Sequence, residues 1–145
     1  ASGSRTEGMG KKRTAEGKGD SLRWRFDRIE QLVVPNTQRL LALFRESGLP
    51  IIYLTVGSEK SDFSDAPPHL VGLFRYTDNY EGSRTHEILD ELKPLPGERV
   101  VNKTTYGAFA SSNIKEVLEE MEEAALVVIV LQLVCLCLHK IILLQ

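Results

Sequence analysis

Lys103 stands where a short β-branched run ends, in the segment RVVNKTTYGAF at residues 99–109. A lysine at that point is either an exposed loop charge or the cation of an active site. A cation beside a thiol lowers the thiol pKa and favours the nucleophilic thiolate. The chain has two thiols, Cys135 and Cys137. The elements around Lys103 must therefore decide which interpretation holds.

The residues before and after Lys103 predict alternating helices and strands. Apolar residues recur at helical spacing over 35–47, and the apolar run at 49–56 is typical of a buried strand. A second short strand is predicted over 99–103. Ser111 or Ser112 can cap the helix that follows it. This alternation is typical of an α/β domain with a parallel sheet.

Lys103 follows directly after the second predicted strand. In open parallel sheets, ligands bind beyond the carboxyl ends of the strands. The order of elements therefore places Lys103 at the edge where chemistry is expected.

The segment between the two strands is less regular. Residues 58–83 contain Pro67-Pro68 with scattered Gly, Ser and Asp, and we expect a long loop there. A short helix is predicted over 85–92, with Thr85 as its cap and with Ile88, Leu89 and Leu92 facing inward.

Composition indicates one globular domain with a distinct N-terminus. The chain has 145 residues, of which 42% are hydrophobic and 26% charged, and its net charge is −2. This charge predicts no dominant attraction to nucleic acid or to acidic membrane, and neither is expected as a partner. Residues 1–28 are basic and rich in Gly and Ser, and we expect a disordered tail and linker there.

Cys135 and Cys137 lie two positions apart, where they are poorly placed to bond to each other. A reducing, cytoplasmic location is therefore predicted. The cysteines belong to an apolar run that begins at Ala124 and is interrupted by Gln132. Its first part, 126–130, is predicted as a buried strand, and a membrane anchor is the alternative.

A family resemblance appears once these elements are in order. The segments VVPNTQRLLALFRESGLPIIYLT and ILDELKPLPGERVVNKTTYGAF, followed by a helix and LVV, resemble the isochorismatase-like cysteine hydrolases. The resemblance runs from Ile29 to Val130. It implies a doubly wound, Rossmann-like, three-layer αβα domain, incomplete at both ends here. The predicted domain covers 29–134, and 135–145 form an atypical apolar tail.

The resemblance also implies an Asp-Lys-Cys triad that cleaves amides. Lys103 occupies the position of the triad lysine, and Tyr106 and Phe109 occupy the flanking aromatic positions, where they would bind substrate. Cys135 or Cys137 would be the nucleophile. The position of the family's cysteine itself falls on Leu136.

Two parts of the family pattern are missing from this sequence. The family's first strand ends in an aspartate, and residues 1–28 contain no comparable apolar strand. The family's cysteine follows a turn of small residues, whereas bulky aliphatic residues predominate over 129–136 here. A thiol among such residues has a raised pKa and little reactivity. We therefore predict weak or no activity.

The predicted function is that of an isochorismatase-like hydrolase domain acting on a small carbonyl or amide compound. The alternatives are a non-catalytic relative or aberrant gene product, and a module tethered to a membrane by its C-terminal run. No cofactor and no metal are expected, since His69, His86 and His139 are scattered. A homo-oligomer is left open.

Overall fold

The computed structural model describes residues 8–121. The helices and strands follow one another in this order: α1 Gly8–Ala15, α2 Asp20–Arg28, a π-helical turn Ile29–Val33, α3 Val34–Glu46, β1 Ile52–Val56, α4 Pro68–Thr77, a 3-10 turn Asp90–Leu92, β2 Arg99–Lys103, α5 Ala108–Ser111 and α6 Ile114–Glu120. The predicted strand over 126–130, the apolar tail and both cysteines lie outside this part of the chain.

The sheet of the described region consists of β1 and β2, which run parallel. Their register pairs Ile52 with Arg99 and Val56 with Lys103. Consecutive parallel strands require a crossover connection, which is the α/β topology predicted from the sequence. The fold class is therefore confirmed.

Helices contact both faces of this sheet. On one face, Val101 forms a buried cluster with Ile114 and Val117 of α6, and Ile52 packs against that cluster. Successive strand residues point to opposite faces, so Tyr53 faces the other side. There Arg45 of α3 donates a hydrogen bond to the Tyr53 hydroxyl at 3.2 Å. Helices thus lie above and below the strands that carry Lys103.

Helix α3 is tied to the turn before β2 by an ion pair. The Arg45 guanidinium donates from Nε to Glu98 Oε1 at 2.7 Å and from Nη2 to Oε2 at 2.9 Å. Glu98 also accepts the backbone amide of Leu95 at 2.7 Å. Glu98 therefore fixes the turn that leads into β2, and with it the start of the strand that ends at Lys103.

Helix α4 lies inside the segment that the sequence predicts as a long loop. That prediction was wrong over 68–77, because Pro68 starts the helix, where its missing N–H and fixed φ are favourable. Leu70, Phe74 and Thr77 are buried at helical spacing. The helix ends at Asp78, which has a φ of 55°.

The helix predicted over 85–92 is absent from the structure, which has turns and then the 3-10 turn Asp90–Leu92. The Thr85 hydroxyl donates to the carbonyl of Asp78 instead of capping a helix. Arg84 forms ion pairs with both Glu87 and Asp90 across the turns. Leu92 is nevertheless buried, as predicted.

Residues 8–28 are largely helical in the structure, whereas their composition favours a disordered tail. Contacts with α4 account for the order of α1. Lys12 donates to the carbonyl of Tyr76, and the Tyr76 hydroxyl donates to Glu16 at 2.8 Å. Arg13 lies over the Tyr76 ring at 5.6 Å from its centroid. The domain boundary between residues 28 and 29 stays a prediction.

Candidate active site

Lys103 is the last residue of β2 and lies at the carboxyl edge of the parallel pair. The N–H of Gly57, the first residue after β1, donates to the Lys103 carbonyl at 3.1 Å. Both strands therefore end at the same level, and the loops that follow them start side by side. The predicted position of the lysine in the fold is thus the observed one.

The Lys103 ammonium is half-buried and faces its own loop. Nζ donates to the carbonyl oxygens of Thr105 at 3.0 Å and Tyr106 at 3.3 Å. Burial lowers the pKa of Lys103 from its ordinary value, because the charged form is partly removed from water. These two hydrogen bonds fix the Lys103 ammonium at the edge of the sheet, so the side chain does not extend freely into solvent.

The loop after β2 is held in place by Ser111 of α5. Ser111 Oγ accepts the Thr105 N–H at 3.1 Å and the Thr105 hydroxyl at 2.8 Å. It donates to the carbonyl of Gly107 at 2.8 Å. Because Thr105 supplies one of the two carbonyls that bind Lys103, Ser111 fixes the ammonium indirectly.

Ser112, the neighbouring residue, forms hydrogen bonds with the start of α6 and with α5. Its hydroxyl accepts the Ile114 N–H at 3.3 Å and donates to the Ala108 carbonyl at 2.7 Å. The sequence predicted Ser111 or Ser112 as the cap of this helix, but the N-cap residue is Asn113, whose side chain makes no capping bond. The Ser112 hydroxyl instead accepts the N–H of the first helical residue from one position further back.

Two aromatic side chains are exposed beside Lys103. Tyr106 is 58% exposed and Phe109 is 64% exposed. The Tyr106 ring lies 6.1 Å from the ring of His69, at the start of α4, with a tilt of 33°. The sequence predicted Tyr106 and Phe109 as substrate-binding residues. The structure leaves both rings open to solvent, and their contact with substrate stays a prediction.

Three polar side chains, of which Asn79 is buried, form the other side of this edge. Asn79 Nδ2 donates to the Val56 carbonyl at 2.7 Å, and Asn102 Nδ2 donates to the Gly57 carbonyl at 3.1 Å. His86 Nδ1 lies 3.0 Å from Asn79 Oδ1. Since the Asn79 amide nitrogen is already used as a donor, Oδ1 is the acceptor and His86 Nδ1 carries the proton. The free lone pair of the neutral ring is then on Nε2.

His86 is a residue whose role sequence reasoning missed. Burial lowers its pKa and favours the neutral imidazole. No sequence pattern pointed to His86, because it does not form a metal-binding pattern with the other histidines. Gly57, directly after a strand, was the available signal, because a glycine there permits a close approach of another side chain.

Asp65 is the carboxylate that organises the loop after β1. It accepts hydrogen bonds from Ser58 Oγ at 2.6 Å and from the Glu59 N–H at 2.7 Å. Burial opposes ionisation of Asp65, but these hydrogen bonds outweigh it and lower the pKa. With both oxygens occupied, Asp65 acts on the loop and is not presented to a ligand.

Neither a nucleophile nor an aspartate of the implied triad is placed by the described residues, and the sequence predicted no particular aspartate for it. Cys135 and Cys137 lie outside the described residues. Asp20 and Asp27, the acidic residues of α2, are on a helix and not at the end of a strand. No strand in the described region precedes β1. Of the predicted site, the Lys103 ammonium contacts the carbonyl of Tyr106, and Phe109 lies exposed on α5, two residues after the loop turns at Gly107.

Metal clusters and membrane spans are both lacking within residues 8–121. This range contains no group of three or more His, Cys, Asp or Glu side chains that could hold a metal ion. No helix in it combines the length and the hydropathy required to cross a lipid bilayer. The apolar run considered as an anchor lies outside that range.

Comparison with protein families gives a match over most of the chain. The model of the isochorismatase domain matches residues 27–130. A secreted isochorismatase effector of Verticillium dahliae is 32% identical over 95 residues, which are 66% of this chain and 43% of the relative. Because that relative is secreted, the cytoplasmic location of this chain stays a prediction.

Solved structures with a similar fold come from bacteria and archaea. An isochorismatase family protein from Desulfovibrio vulgaris aligns with a TM-score of 0.54 and 28% identity, covering 61% of this chain and 47% of that one. The N-carbamoylsarcosine amidase of Thermoplasma acidophilum aligns with a TM-score of 0.51 and 25% identity, covering 63% and 49%. The chain spans less than half the length of each of these relatives.

Proposed function

The chain belongs to the isochorismatase family, and from that premise we propose that it is a hydrolase domain whose site takes a small carbonyl compound of the amide type. We further propose that the 145-residue chain is weakly active or inactive. The site would lie at the carboxyl edge of β1 and β2, between the loop after β1 and the loop after β2.

The placement of Lys103 is the observation that carries this proposal. It ends a parallel strand, it is half-buried, and its ammonium is bound by the carbonyls of Thr105 and Tyr106. An ammonium held at a sheet edge can stabilise an adjacent thiolate or the oxyanion that forms on an attacked carbonyl. A lysine whose charge only had to reach solvent would not need a loop that binds its ammonium with two carbonyl oxygens.

The amide class of substrate is supported by one of the relatives. The Thermoplasma relative is named as an amidase. In amide cleavage by a thiolate, the sulfur attacks the carbonyl carbon, the nitrogen leaves with a proton, and water then releases the acid. Lys103 would supply positive charge to the first of these steps. The exposed rings of Tyr106 and Phe109 would contact the substrate's apolar part.

Weak activity follows from the composition around the thiols. The sequence neighbours of Cys135 and Cys137 are the aliphatic residues Val134, Leu136 and Leu138, and no basic residue follows until His139-Lys140. Removing a single member of a catalytic triad costs about 10⁴–10⁶-fold in rate. A chain in which the aspartate and the activated thiol are both unrecognised is therefore expected to turn over slowly or not at all.

The direct test is ammonia release from nicotinamide and other small primary amides by the full chain. We expect rates near the uncatalysed background for the native chain and for Lys103→Met. Lys115→Met, which removes an exposed cation from α6, is the matched control. Turnover that is lost in Lys103→Met and in one of the variants Cys135→Ser or Cys137→Ser, but kept in Lys115→Met, would contradict the proposed inactivity.

A non-catalytic relative is the second candidate, favoured by the absence of small residues directly before Cys135. Thiol labelling as a function of pH separates the two candidates. A thiol that reacts well below its ordinary pKa of about 8.5 indicates an assembled hydrolase site. Two thiols that react only at higher pH, or not at all, indicate a domain that binds without catalysing.

A further inference from the structure

Strand β1 has a free edge, which is its side away from β2. The Arg99 N–H donates to the Ile51 carbonyl at 3.3 Å, and the Gly57 N–H donates to the Lys103 carbonyl at 3.1 Å. The odd-numbered residues of β1 therefore direct their backbone groups toward β2, and the even-numbered residues direct theirs away from it, because the direction alternates along a strand. Within residues 8–121, no strand pairs with this free edge.

The free edge is apolar and is open only along β1 itself. Leu54 is 38% exposed although it lies in the middle of the strand. The Val56 carbonyl accepts a hydrogen bond from Asn79 Nδ2 at 2.7 Å, and beyond it Ser58 forms a bridge with Tyr80. An apolar strand edge without a partner is a site where another strand can pair.

The chirality of the chain determines on which side of the sheet the next strand belongs. Val101 packs against α6, and its backbone groups face β1. For L-amino acids with the strands running upward, an observer on the α6 side then sees β1 to the right of β2. Crossovers between parallel strands are right-handed in about 98% of cases, so with the helix in front the next strand lies to the right. A strand after α6 therefore belongs on the free edge of β1 and not on the outer edge of β2.

Helix α6 ends where such a strand has to start. Arg99, the first residue of β2, forms an ion pair with Glu120 at 3.2 Å. Met121 packs against the same cluster as Ile52, the first residue of β1. The chain therefore leaves α6 at the amino ends of both strands. The five residue steps from Met121 to Leu126 reach about 17 Å, and the free edge of β1 is two strand spacings from β2, about 10 Å.

We propose that residues 126–130 pair with the free edge of β1 as a third parallel strand. Their sequence, LVVIV, is a continuous apolar and β-branched run, which is typical of a parallel strand covered on both faces. Alternate N–H groups of the run would donate to the Ile52 and Leu54 carbonyls, and the N–H groups of Leu54 and Val56 would donate to carbonyls of the run. This inference does not depend on the proposed hydrolase function, since it requires no turnover.

The short connection favours this run over a second copy of the chain. A segment attached by a linker of a few residues has an effective concentration on the order of millimolar. At micromolar protein concentration, the run of the same chain therefore occupies the edge before another molecule can do so.

Amide hydrogen exchange of the full chain tests the pairing residue by residue. The Thr55 N–H points toward β2 and is the internal reference, whereas the Leu54 N–H points to the free edge. We expect both amides to be protected in the native chain. Val128→Pro/Ile129→Pro removes two consecutive donors, one of which faces β1, so Leu54 should exchange at least about tenfold faster. Unchanged protection of Thr55 verifies that the variant keeps its fold.

Leu133→Pro/Val134→Pro is the matched control, because it makes the same change further along the apolar run and should leave Leu54 protected. A Leu54 amide that exchanges much faster than Thr55 in the native chain would show that the edge is open, and the proposal would be wrong. Protection that rises with protein concentration, together with a dimer in sedimentation, would assign the edge to a second copy. Protection that the first proline variant does not reduce would assign it to another segment of the chain.

Disulfide cross-linking gives a second measurement that needs no proline. Leu54→Cys is combined with a single cysteine at each position of 126–130 in turn, in a chain that also carries Cys135→Ser/Cys137→Ser. Because side chains alternate between the two faces of a sheet, cross-links within one chain should form only at alternate positions of the run. Equal cross-linking at all five positions, none at any position, or cross-links only between chains would each contradict the proposed strand.

Discussion

Gly57 and His86 meet so closely that a Cβ atom on Gly57 would lie 2.5 Å from Nδ1 of the imidazole. The same atom would lie 3.0 Å from Oδ1 of Asn79. The glycine allows the imidazole to seat against the backbone where β1 ends. This contact joins the loop around residue 86 to the edge of the sheet that holds Lys103.

We expect Gly57→Ala to lower the free energy of unfolding by about 1–3 kcal/mol, the usual cost of overpacking a filled site. Urea denaturation gives the measurement. Gly72→Ala is the matched control, because a Cβ at Gly72 meets nothing within 4 Å. Gly72 lies inside α4, so that change should stabilise the protein by about 0.5–1 kcal/mol.

The double variant Gly57→Ala/His86→Ala tests the cause of that loss. If the imidazole is the obstacle, the two changes are non-additive, because removing the ring makes room for the methyl group. If the two losses in the free energy of unfolding are additive, the strain caused by a methyl group at position 57 does not come from the His86 ring.

His86 should make stability depend on pH below neutrality. Burial lowers its pKa in the folded chain below the ordinary 6.5, so the unfolded chain binds more protons between the two values. Stability is therefore full above pH 6.5 and falls as the pH is lowered toward the folded pKa. His86→Asn, which can still donate to Asn79, should flatten this slope. Denaturation at a series of pH values from about 5 to about 7.5 is the measurement, and an unchanged slope in the variant would contradict it.

The ion pair between Arg45 and Glu98 should stabilise the fold at neutral pH, and this stabilisation should disappear in acid. The hydrogen bonds from Arg45 lower the pKa of Glu98. The contribution is then present above the ordinary carboxylate pKa and is lost as the pH falls through the lower folded value. Glu98→Gln should cost about 1–3 kcal/mol at neutral pH, because the pair is bidentate and mostly shielded. Denaturant midpoints at neutral and at acid pH give the comparison.

Glu120→Gln serves as the control for that experiment. Its partner is Arg99, and both side chains of this pair are more than half exposed. Exposed pairs contribute about 0–1 kcal/mol, so the change should be nearly neutral. A loss equal to that of Glu98→Gln would show that the shielding of the Arg45 pair has no energetic effect.

Ser111→Ala should loosen the loop that holds the Lys103 ammonium. The change leaves the Thr105 N–H without its acceptor, which costs about 1–3 kcal/mol when the group stays buried. Amide hydrogen exchange of residues 104–107 should accelerate. Ser112→Ala, which acts on α6, should accelerate exchange near residue 114 and spare the loop. The same exchange pattern in both variants would argue against separate roles.

Lys103→Met should change the free energy of unfolding by less than about 1 kcal/mol, because two opposing effects nearly cancel. The variant loses two hydrogen bonds to carbonyls but no longer removes a charge from water. The lowered pKa of Lys103 means that its charge is disfavoured in the fold. A large loss of stability in a denaturant titration of this variant would identify Lys103 as a structural residue and weaken its assignment to the site.

The sequence alone was sufficient to predict the helices and strands whose apolar residues recur at a regular spacing. Leu40 and Phe44 marked α3, Gly48 ended it with a φ of 65°, and the β-branched runs marked both strands. The position of Lys103 followed from the rule that parallel strands share a carboxyl edge. These signals are local, and local signals are what a single sequence displays.

The misses occurred where tertiary contacts or special positions decide the structure. Pro67-Pro68 was interpreted as a loop, although the second proline starts α4. Residues 85–92 have helical spacing, but ion pairs from Arg84 and the Thr85 hydroxyl hold them in turns. The contact between His86 and Gly57 joins residues that are far apart in the sequence, and no periodic pattern predicts such a contact.

The parallel pairing of β1 and β2 also sets the order of events during synthesis. Thr55 bonds to Asn102, which lies 47 positions later in the chain. At about 5–20 residues per second, β1 leaves the ribosome roughly 2–10 s before its partner strand exists. Throughout that interval the apolar run around Ile52 and Leu54 lacks the strand with which it pairs. The nascent chain therefore presents an unpaired strand edge to chaperones for seconds, and codons that slow translation between β1 and β2 should lengthen that exposure.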